Sequence, residues 1–333
     1  MHIYRNTDHL PVFRKSVITI GTFDGVHTGH QRLLEQMKGE AARIGGETVI
    51  ITFHPHPRKI VRGEAGQIRL INTLDEKIGL LARQGVDHLV IVPFTEAFSQ
   101  LTAEQYVKEF LLAKFHPHTI IIGYDHQFGK GRLGDYHLLE DFSKTEGFRL
   151  QEIPVHLSNE ISVSSTRIRE SISHSDMATA SQLLGYDFFF SGRIVEGNKL
   201  GRTLGYPTAN LQVEDPEKLL PGDGVYAVEL TLLPEEKKAA DGTSPEVVDG
   251  LQAGNSGERL KGMMNIGVRP TVDGTRRVIE VNIFDFNADI YGRVLRVSLR
   301  RHLRGEQKFN GLEALKAQLA TDKEEAIAVL ADS

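Results

Sequence analysis

GTFDGVHTGH, residues 21–30, decides how the first half of the chain folds. It follows directly on an apolar run, SVITI (16–20), and leads into residues 28–43, where apolar side chains recur at helical spacing. Strand, glycine-rich turn and helix in that order put the turn at the carboxyl end of a strand, the edge of an α/β sheet where nucleotides bind. Thr28 and Gln31 have capping-box spacing, which predicts a helix beginning at Thr28 with its free N–H groups turned to the loop. His27 then lies just ahead of the cap and His30 in the first turn, so the two imidazoles face one site. Gly29 leaves room for close approach and the helix dipole favours an anion. Two imidazoles there can hydrogen-bond a developing pyrophosphate without forming a covalent bond. The plainer alternative is a capped glycine turn carrying two surface histidines. No GxGxxG is present, so a dinucleotide site is not indicated.

The alternation continues along the chain. ETVIITF (47–53), DHLVIVPF (87–94) and HTIIIG (118–123) read as strands buried on both faces, with amphipathic segments at 73–83 and 102–114 between them. Thr73 with Glu76, and Thr102 with Gln105, have the spacing of capping boxes. From about residue 15 to 149 this predicts a parallel sheet with right-handed crossovers. A last helical segment, 177–184, stops at Gly185, suited to the C′ position, and the domain boundary is set there: 1–185 and 186–333. Beyond it DFFFSGRIV, GVYAVELTL, RLKGMMNIGV, RVIEVNIFDF and RVLRVSLRR read as short strands of an antiparallel barrel or sandwich, closed by an amphipathic helix at 312–330. The polar stretch 233–257 reads as a mobile loop between two barrel strands.

A length of 333 residues allows two domains with a core each. The formal net charge of −5 disfavours a nucleic-acid partner held by many phosphate contacts, while local Arg and His clusters still suit small anions. The absence of cysteine excludes disulfides and thiolate chemistry and fits a reducing cytoplasm. The first residues lack a signal-peptide core, and no apolar stretch approaches the ~20 residues of a membrane helix. The expectation is a soluble, cytoplasmic protein. His54, His56, His116 and His118 lack the further ligands of a metal site and read as loop residues.

Three further stretches carry chemistry. In VSSTRIR (163–169), Ser164, Ser165 and Thr166 offer caps for a helix start, while Arg167 and Arg169 in its first turn oppose the dipole unless an anion sits there. In GRIVEGNKLGRTLGYPTANL (192–211), Gly197, Gly201 and Gly205 punctuate a loop bearing Lys199 and Arg202 that can wrap polyphosphate, although the Walker A order is absent. Thr208 and Asn210 point the same way if extended, and their oxygens suit Mg²⁺; a Gly/Pro turn leading into a strand explains the same letters. In RVIEVNIFDF (277–286), Glu280 and Asn282 share the polar face of a strand. Glu280 is either a base for a hydroxyl proton or a solvated carboxylate.

Taken in order, GTFDGVHTGH, TFHPHP, GYDHQFGKGRLG, VSSTRIR, GRTLGYPTANL, PGDGVYAV, NIGVRPT, the Glu280 strand and EQKF resemble the bacterial bifunctional riboflavin kinase/FMN adenylyltransferase (FAD synthetase) family. The resemblance implies an α/β Rossmann-like nucleotidyltransferase domain followed by a riboflavin-kinase-like antiparallel β-barrel. It implies phosphorylation of riboflavin by ATP to FMN, then adenylyl transfer from a second ATP to FMN, giving FAD and pyrophosphate. ATP would be held by His27, His30, Ser164, Ser165, Thr166 and Arg169, with Gly21, Phe23 and Asp24 of the first stretch. In the barrel, Gly197, Lys199, Gly201 and Arg202 would do the same. Phe53, Pro55, His56, Pro57 and Asp125 would lie at the flavin, Thr208 and Asn210 would hold Mg²⁺, and Glu280 would be the base. His126 stands where the family pattern leads one to expect Phe, and Asn282 where His is frequent. The rival reading is an adenylyltransferase for another small phosphate acceptor with a non-catalytic barrel. A class I aminoacyl-tRNA synthetase fragment would need a Lys-Met-Ser-Lys-Ser loop, which is absent.

Overall fold

The computed structural model describes residues 1–61, 68–123, 126–153, 163–197, 205–234, 246–247, 258–271 and 274–331. By contacts the chain divides into two compact units, Met1–Ser164 with Ala239–Gly254, and Ser165–Lys238 with Asn255–Ser333. In chain order the strands are β1 (His2–Tyr4), β2 (Val17–Ile20), β3 (Thr48–His54), β4 (His88–Pro93), β5 (Thr119–Gly123), β6 (Arg149–Ile153), β7 (Phe189–Val195), β8 (Ala209–Gln212), β9 (Gly224–Leu232), β10 (Glu246–Val247), β11 (Arg259–Thr271), β12 (Gly274–Ile283) and β13 (Val294–Arg304).

The first unit is the expected parallel sheet, in the order β10-β1-β4-β3-β2-β5-β6 with every pair from β1 to β6 parallel. β2, β3 and β4 run outward on one side and β5 begins the other, so the sheet reverses its winding at β2. Residues 21–27 leave the sheet at that switch point. The four Val/Ile-rich runs are its central strands, buried along nearly their whole length because helices cover both faces. The sequence reading missed β1 and β6: the first has three residues, and the second, half-exposed at the sheet edge, lacks a continuous apolar run. Part of the stretch expected as a mobile loop supplies β10, which pairs antiparallel with β1; residues 235–245 and 248–257 lie outside the described residues. β10 hydrogen-bonds an edge that would otherwise be open.

Helix α1 (Thr28–Ile44) ends at Gly45 in the left-handed region, and α2 (Leu74–Arg83) starts with the predicted Thr73/Glu76 capping box. The Thr102/Gln105 box also forms, but the helix it opens, Ala103–Gln105, continues as a π-helical stretch, Tyr106–Leu112, before Ala113–Phe115. The wider turn lets Tyr106, Val107, Phe110 and Leu111 all enter the core.

In the second unit, helices Ser165–Ser173 and Met177–Leu184 precede a closed six-stranded barrel, β11-β12-β8-β7-β13-β9, with every neighbouring pair antiparallel. Gly185 takes the left-handed C-cap conformation predicted for it. The C-terminal helix, Leu312–Ala331, lays Ala326 and Leu330 against Ala227, Met263 and Phe284. It is pinned by Arg304, whose guanidinium makes two bonds, 2.8 and 2.6 Å, to the buried Asp322 carboxylate.

Candidate active sites

At the switch point the helix cap is one residue earlier than the sequence suggests. His27, rather than Thr28, caps α1: its Nδ1 accepts the N–H of His30 at 3.4 Å. Gln31 does not close a box with Thr28; its Nε2 donates to the carbonyl of Val26 at 2.9 Å. An imidazole nitrogen reaches the third helical N–H as a Ser or Thr oxygen would. The same bond fixes the tautomer, because a nitrogen that accepts a backbone N–H leaves its proton on Nε2. The His27 and His30 rings stack with centroids 3.7 Å apart and planes inclined by 16°, and Phe23 packs on His30 at 4.9 Å. Burial lowers His27 to about 4, against the opposing pull of Asp24. Burial, then His27 and Lys77, hold His30 well below the ordinary histidine value. Both are therefore neutral at pH 7, and His27 offers its remaining N–H as a donor. His30 Nδ1 is buried without a hydrogen-bond partner among the described residues.

The loop before them is strained. Phe23, Gly25 and Val26 have φ of 49°, 94° and 37°, a region in which a β-branched Val is out of place. Glycine bears such a φ freely, but for Phe23 and Val26 it costs on the order of 1–3 kcal/mol each and persists only where the surroundings over-determine it. Asp24 does part of this: its buried Oδ1 accepts the N–H groups of Ile71 at 2.9 Å and Asn72 at 3.3 Å. Lys77 adds to this from α2, its Nζ donating to the carbonyl of Thr22 at 2.7 Å, which Thr52 Oγ1 also reaches at 3.3 Å. Lys77 is only 8% exposed, and burial lowers its ammonium to about 8 despite the nearby Asp24. The sequence reading did not single it out. The available signal was a lysine in the apolar stripe of α2, beside Ile78 and one turn before Leu81.

On the expected flavin side, Phe53, next to last in β3, packs against Phe94 and Phe98, centroids 5.4 and 5.7 Å away. The His54–Pro55 peptide is cis, His56 Nδ1 accepts the N–H of Arg58, and Pro57 opens the short helix Pro57–Val61. Aromatic contacts continue through Tyr106 and Phe128 to His126, which stacks on Phe128 at 5.7 Å, so the residue found in place of Phe keeps an aromatic partner. Asp125 lies outside the described residues. Ser164, the last residue of the first unit's main segment, directly precedes the helix Ser165–Ser173; Ser165 and Thr166 open that helix, and Arg169 follows one turn later. Lys199, Gly201 and Arg202 lie outside the described residues.

The barrel brings together what the sequence held apart. Asn210 of β8 is the register partner of Glu280 of β12, whose other partner is Asn265 of β11. Direct partners in an antiparallel pair have Cβ atoms about 4.5–5.5 Å apart and share a face. Thr208 stands just before β8. Gly197 lies against the Asn210 amide so closely that a Cβ there would come within 1.9 Å of Nδ2; the glycine is the space the amide occupies. Glu280 Oε2 receives Arg269 Nη2 at 3.3 Å, and the same guanidinium donates from Nη1 to Glu306 Oε1 at 2.8 Å. Asn265, Arg269 and Glu306 belong to stretches noted only as family-like.

Comparison with known proteins follows the same division. A family model described as FAD synthetase matches residues 10–167, and one described as riboflavin kinase matches residues 184–330. The bifunctional riboflavin kinase/FMN adenylyltransferase of Escherichia coli strain K12 is 36% identical over 307 residues, covering 92% of this chain and 90% of that protein. The chain belongs to the bifunctional riboflavin kinase/FMN adenylyltransferase family. The family protein of Haemophilus influenzae is 33% identical over 315 residues, covering 95% of this chain and 94% of its own. A crystal structure from Streptococcus pneumoniae, described as a macrolide-efflux protein, is similar along 97% of both chains, with a TM-score of 0.81 and 29% identity. Among the described residues of this family member, no helix is long and apolar enough to cross a membrane.

Asn282, found where the family pattern often has His, is 6% exposed and donates from Nδ2 to the carbonyl of Pro207 at 2.7 Å. It ties β12 to the residue before Thr208, a local bond with no call on an ionisable ring.

Proposed function

We propose that this chain catalyses both reactions of its family: ATP-dependent phosphorylation of riboflavin to FMN, and transfer of AMP from ATP to FMN, giving FAD and pyrophosphate. The functional division is set at 1–185 for adenylyl transfer and 186–333 for the kinase; the two family models, which end and begin at 167 and 184, support it. A chain without cysteine suits the reducing cytoplasm in which we place it.

In the kinase the ribityl 5′-hydroxyl oxygen attacks the γ-phosphorus of ATP, the bond from that phosphorus to the β,γ-bridging oxygen breaks, and the hydroxyl proton passes to Glu280. Thr208 and Asn210 would hold Mg²⁺, an all-oxygen donor set beside a carboxylate that suits this ion, and Gly197 leaves the amide its room. When bound, the ion neutralises charge on the ATP phosphates. Gly197, Lys199, Gly201 and Arg202 would wrap those phosphates. In the adenylyltransferase a phosphate oxygen of FMN attacks the α-phosphorus and pyrophosphate leaves. His27 would donate from Nε2–H to phosphate oxygens and His30 would act beside it, with no change of protonation at neutral pH. Catalysis there is positioning and charge stabilisation. Gly21, Phe23 and Asp24 shape the loop that presents the histidines; Ser164, Ser165, Thr166 and Arg169 are assigned to ATP, and Phe53, Pro55, His56, Pro57 and Asp125 to the flavin.

The observation that carries the reading is Asn210 in register with Glu280. A barrel that only bound a ligand would need no base beside a metal-binding amide, which argues against an adenylyltransferase with an inert barrel. Glu280→Gln should abolish FMN formation from riboflavin while FAD formation from supplied FMN continues, both followed by chromatography of the flavins. Loss of both activities together would mean that the two chemistries are not separately housed.

A further inference from the structure

NIGVRPT and EQKF have no part in the chemistry above, and in the barrel they meet at Glu280. Arg269 Nη2 lies 3.3 Å from Glu280 Oε2, and Arg269 Nη1 lies 2.8 Å from Glu306 Oε1. Glu306 Oε2 accepts the N–H of Val268 at 3.4 Å, and its carboxylate lies over Gly267, where a Cβ would stand 1.7 Å from Oε1. Gly267 therefore gives the Glu306 carboxylate its seat, Glu306 holds one edge of the guanidinium, and the other edge holds Glu280.

We propose that Arg269 and Glu306 form a clamp that positions Glu280 for phosphoryl transfer. Side chains 44%, 34% and 32% exposed (Arg269, Glu306, Glu280) gain little stability from such pairs, so the fold does not depend on them. What the pairs supply is direction. A glutamate on a strand face has three freely turning torsions, and a planar guanidinium fixed at its far edge selects the rotamers that reach it. Lysine carries its three donors on one nitrogen and cannot reproduce a fork whose two arms are separate nitrogens. Neither Arg269 nor Glu306 is given a part in the chemistry itself; both are positioning residues. The clamp rests on Glu280 being the base.

The test is steady-state riboflavin phosphorylation by the full chain, with FMN adenylylation in the same preparations as an internal control. Arg269→Gln should lower kcat for phosphorylation by about 10- to 100-fold, as a small misplacement of a reacting group does. The KM values for riboflavin and ATP and the adenylylation rate should stay near wild type. Arg269→Lys should recover little. Glu306→Gln and Gly267→Ala should each give part of the loss, and neither should deepen it when combined with Arg269→Gln, since all act through one contact. Gly267→Ala leaves every charge in place and displaces only the flexible end of Glu306, so it tests the clamp even where Arg269→Gln folds poorly. Wild-type kcat in Arg269→Gln, or in Gly267→Ala where Arg269→Gln folds poorly, would overturn the clamp. A raised KM for ATP with kcat intact would assign Arg269 to the nucleotide instead. Full phosphorylation by Glu280→Gln would remove the base itself, an outcome separate from all of these.

Discussion

Lys77 allows a prediction in which stability and activity move in opposite directions. Burial lowers its ammonium from 10.5 to about 8, so at pH 7 the folded protein holds a charge that its surroundings disfavour. Each tenfold change in proton affinity is worth about 1.4 kcal/mol, which puts the cost of that buried charge on the order of 3 kcal/mol. Lys77→Met removes it. The substitution also loses the bond to Thr22, worth about 1 kcal/mol, but the Thr22 carbonyl keeps Thr52 Oγ1 as a donor and is not orphaned. The net expectation is a gain on the order of 2 kcal/mol at neutral pH, or about 4–8 °C in the melting of a unit of this size. Between pH 8 and 10.5 the folded wild type has given up the proton while the unfolded chain keeps it, so wild-type stability rises with pH there and the advantage of the variant vanishes, leaving it about 1 kcal/mol the less stable above that range. Calorimetry of the full-length variant and wild type at pH 7 and pH 10 measures both. The gain comes with a loss: without its ammonium clamp the strained loop relaxes, and FAD formation falls while riboflavin phosphorylation holds. A variant that melts at or below wild type at pH 7, or keeps the same advantage at pH 10, would show that Asp24 satisfies the ammonium and would refute the reasoning.

The histidine pair gives an acid-side counterpart. Because burial holds His27 at about 4, the unfolded chain takes up a proton below about 6.5 that the folded chain refuses, and stability declines between those values by on the order of 3 kcal/mol for that residue. His27→Ala should flatten this decline in urea titrations at pH 7 and pH 5. The paired His27→Ala/His30→Ala change should abolish adenylylation and leave the kinase intact, the reverse of Glu280→Gln. Gly197→Ala should push the Asn210 amide out of place and weaken riboflavin phosphorylation at least tenfold at limiting Mg²⁺, with adenylylation unchanged; a wild-type Mg²⁺ dependence would exclude Asn210 as a ligand.

Much of the architecture was legible because it is written locally. Val/Ile runs bounded by glycine turns mark strands buried on both faces, and three of them sit next to amphipathic segments of helical period; Thr73 and Thr102 announce their helices through hydrogen bonds that span only three residues. The cap of α1 was misread because a histidine nitrogen did what a threonine oxygen was expected to do, one position earlier. β1 and β6 were missed because short or half-exposed edge strands need no strong pattern of their own.

The sites divide in the same way. The sequence alone determined that two imidazoles would share the start of a helix and that Glu280 would lie on a strand's polar face, since spacing along a helix or strand dictates direction; for Asn210 it left a turn and a strand both open. Only the tertiary structure decided that Asn210 faces Glu280, that Lys77 is buried beneath the Thr22 carbonyl, and that Glu306 reaches Arg269. Those pairings depend on strand register and on which helix packs under which loop. Register and packing follow from burial summed over the whole core, which no short stretch of residues contains.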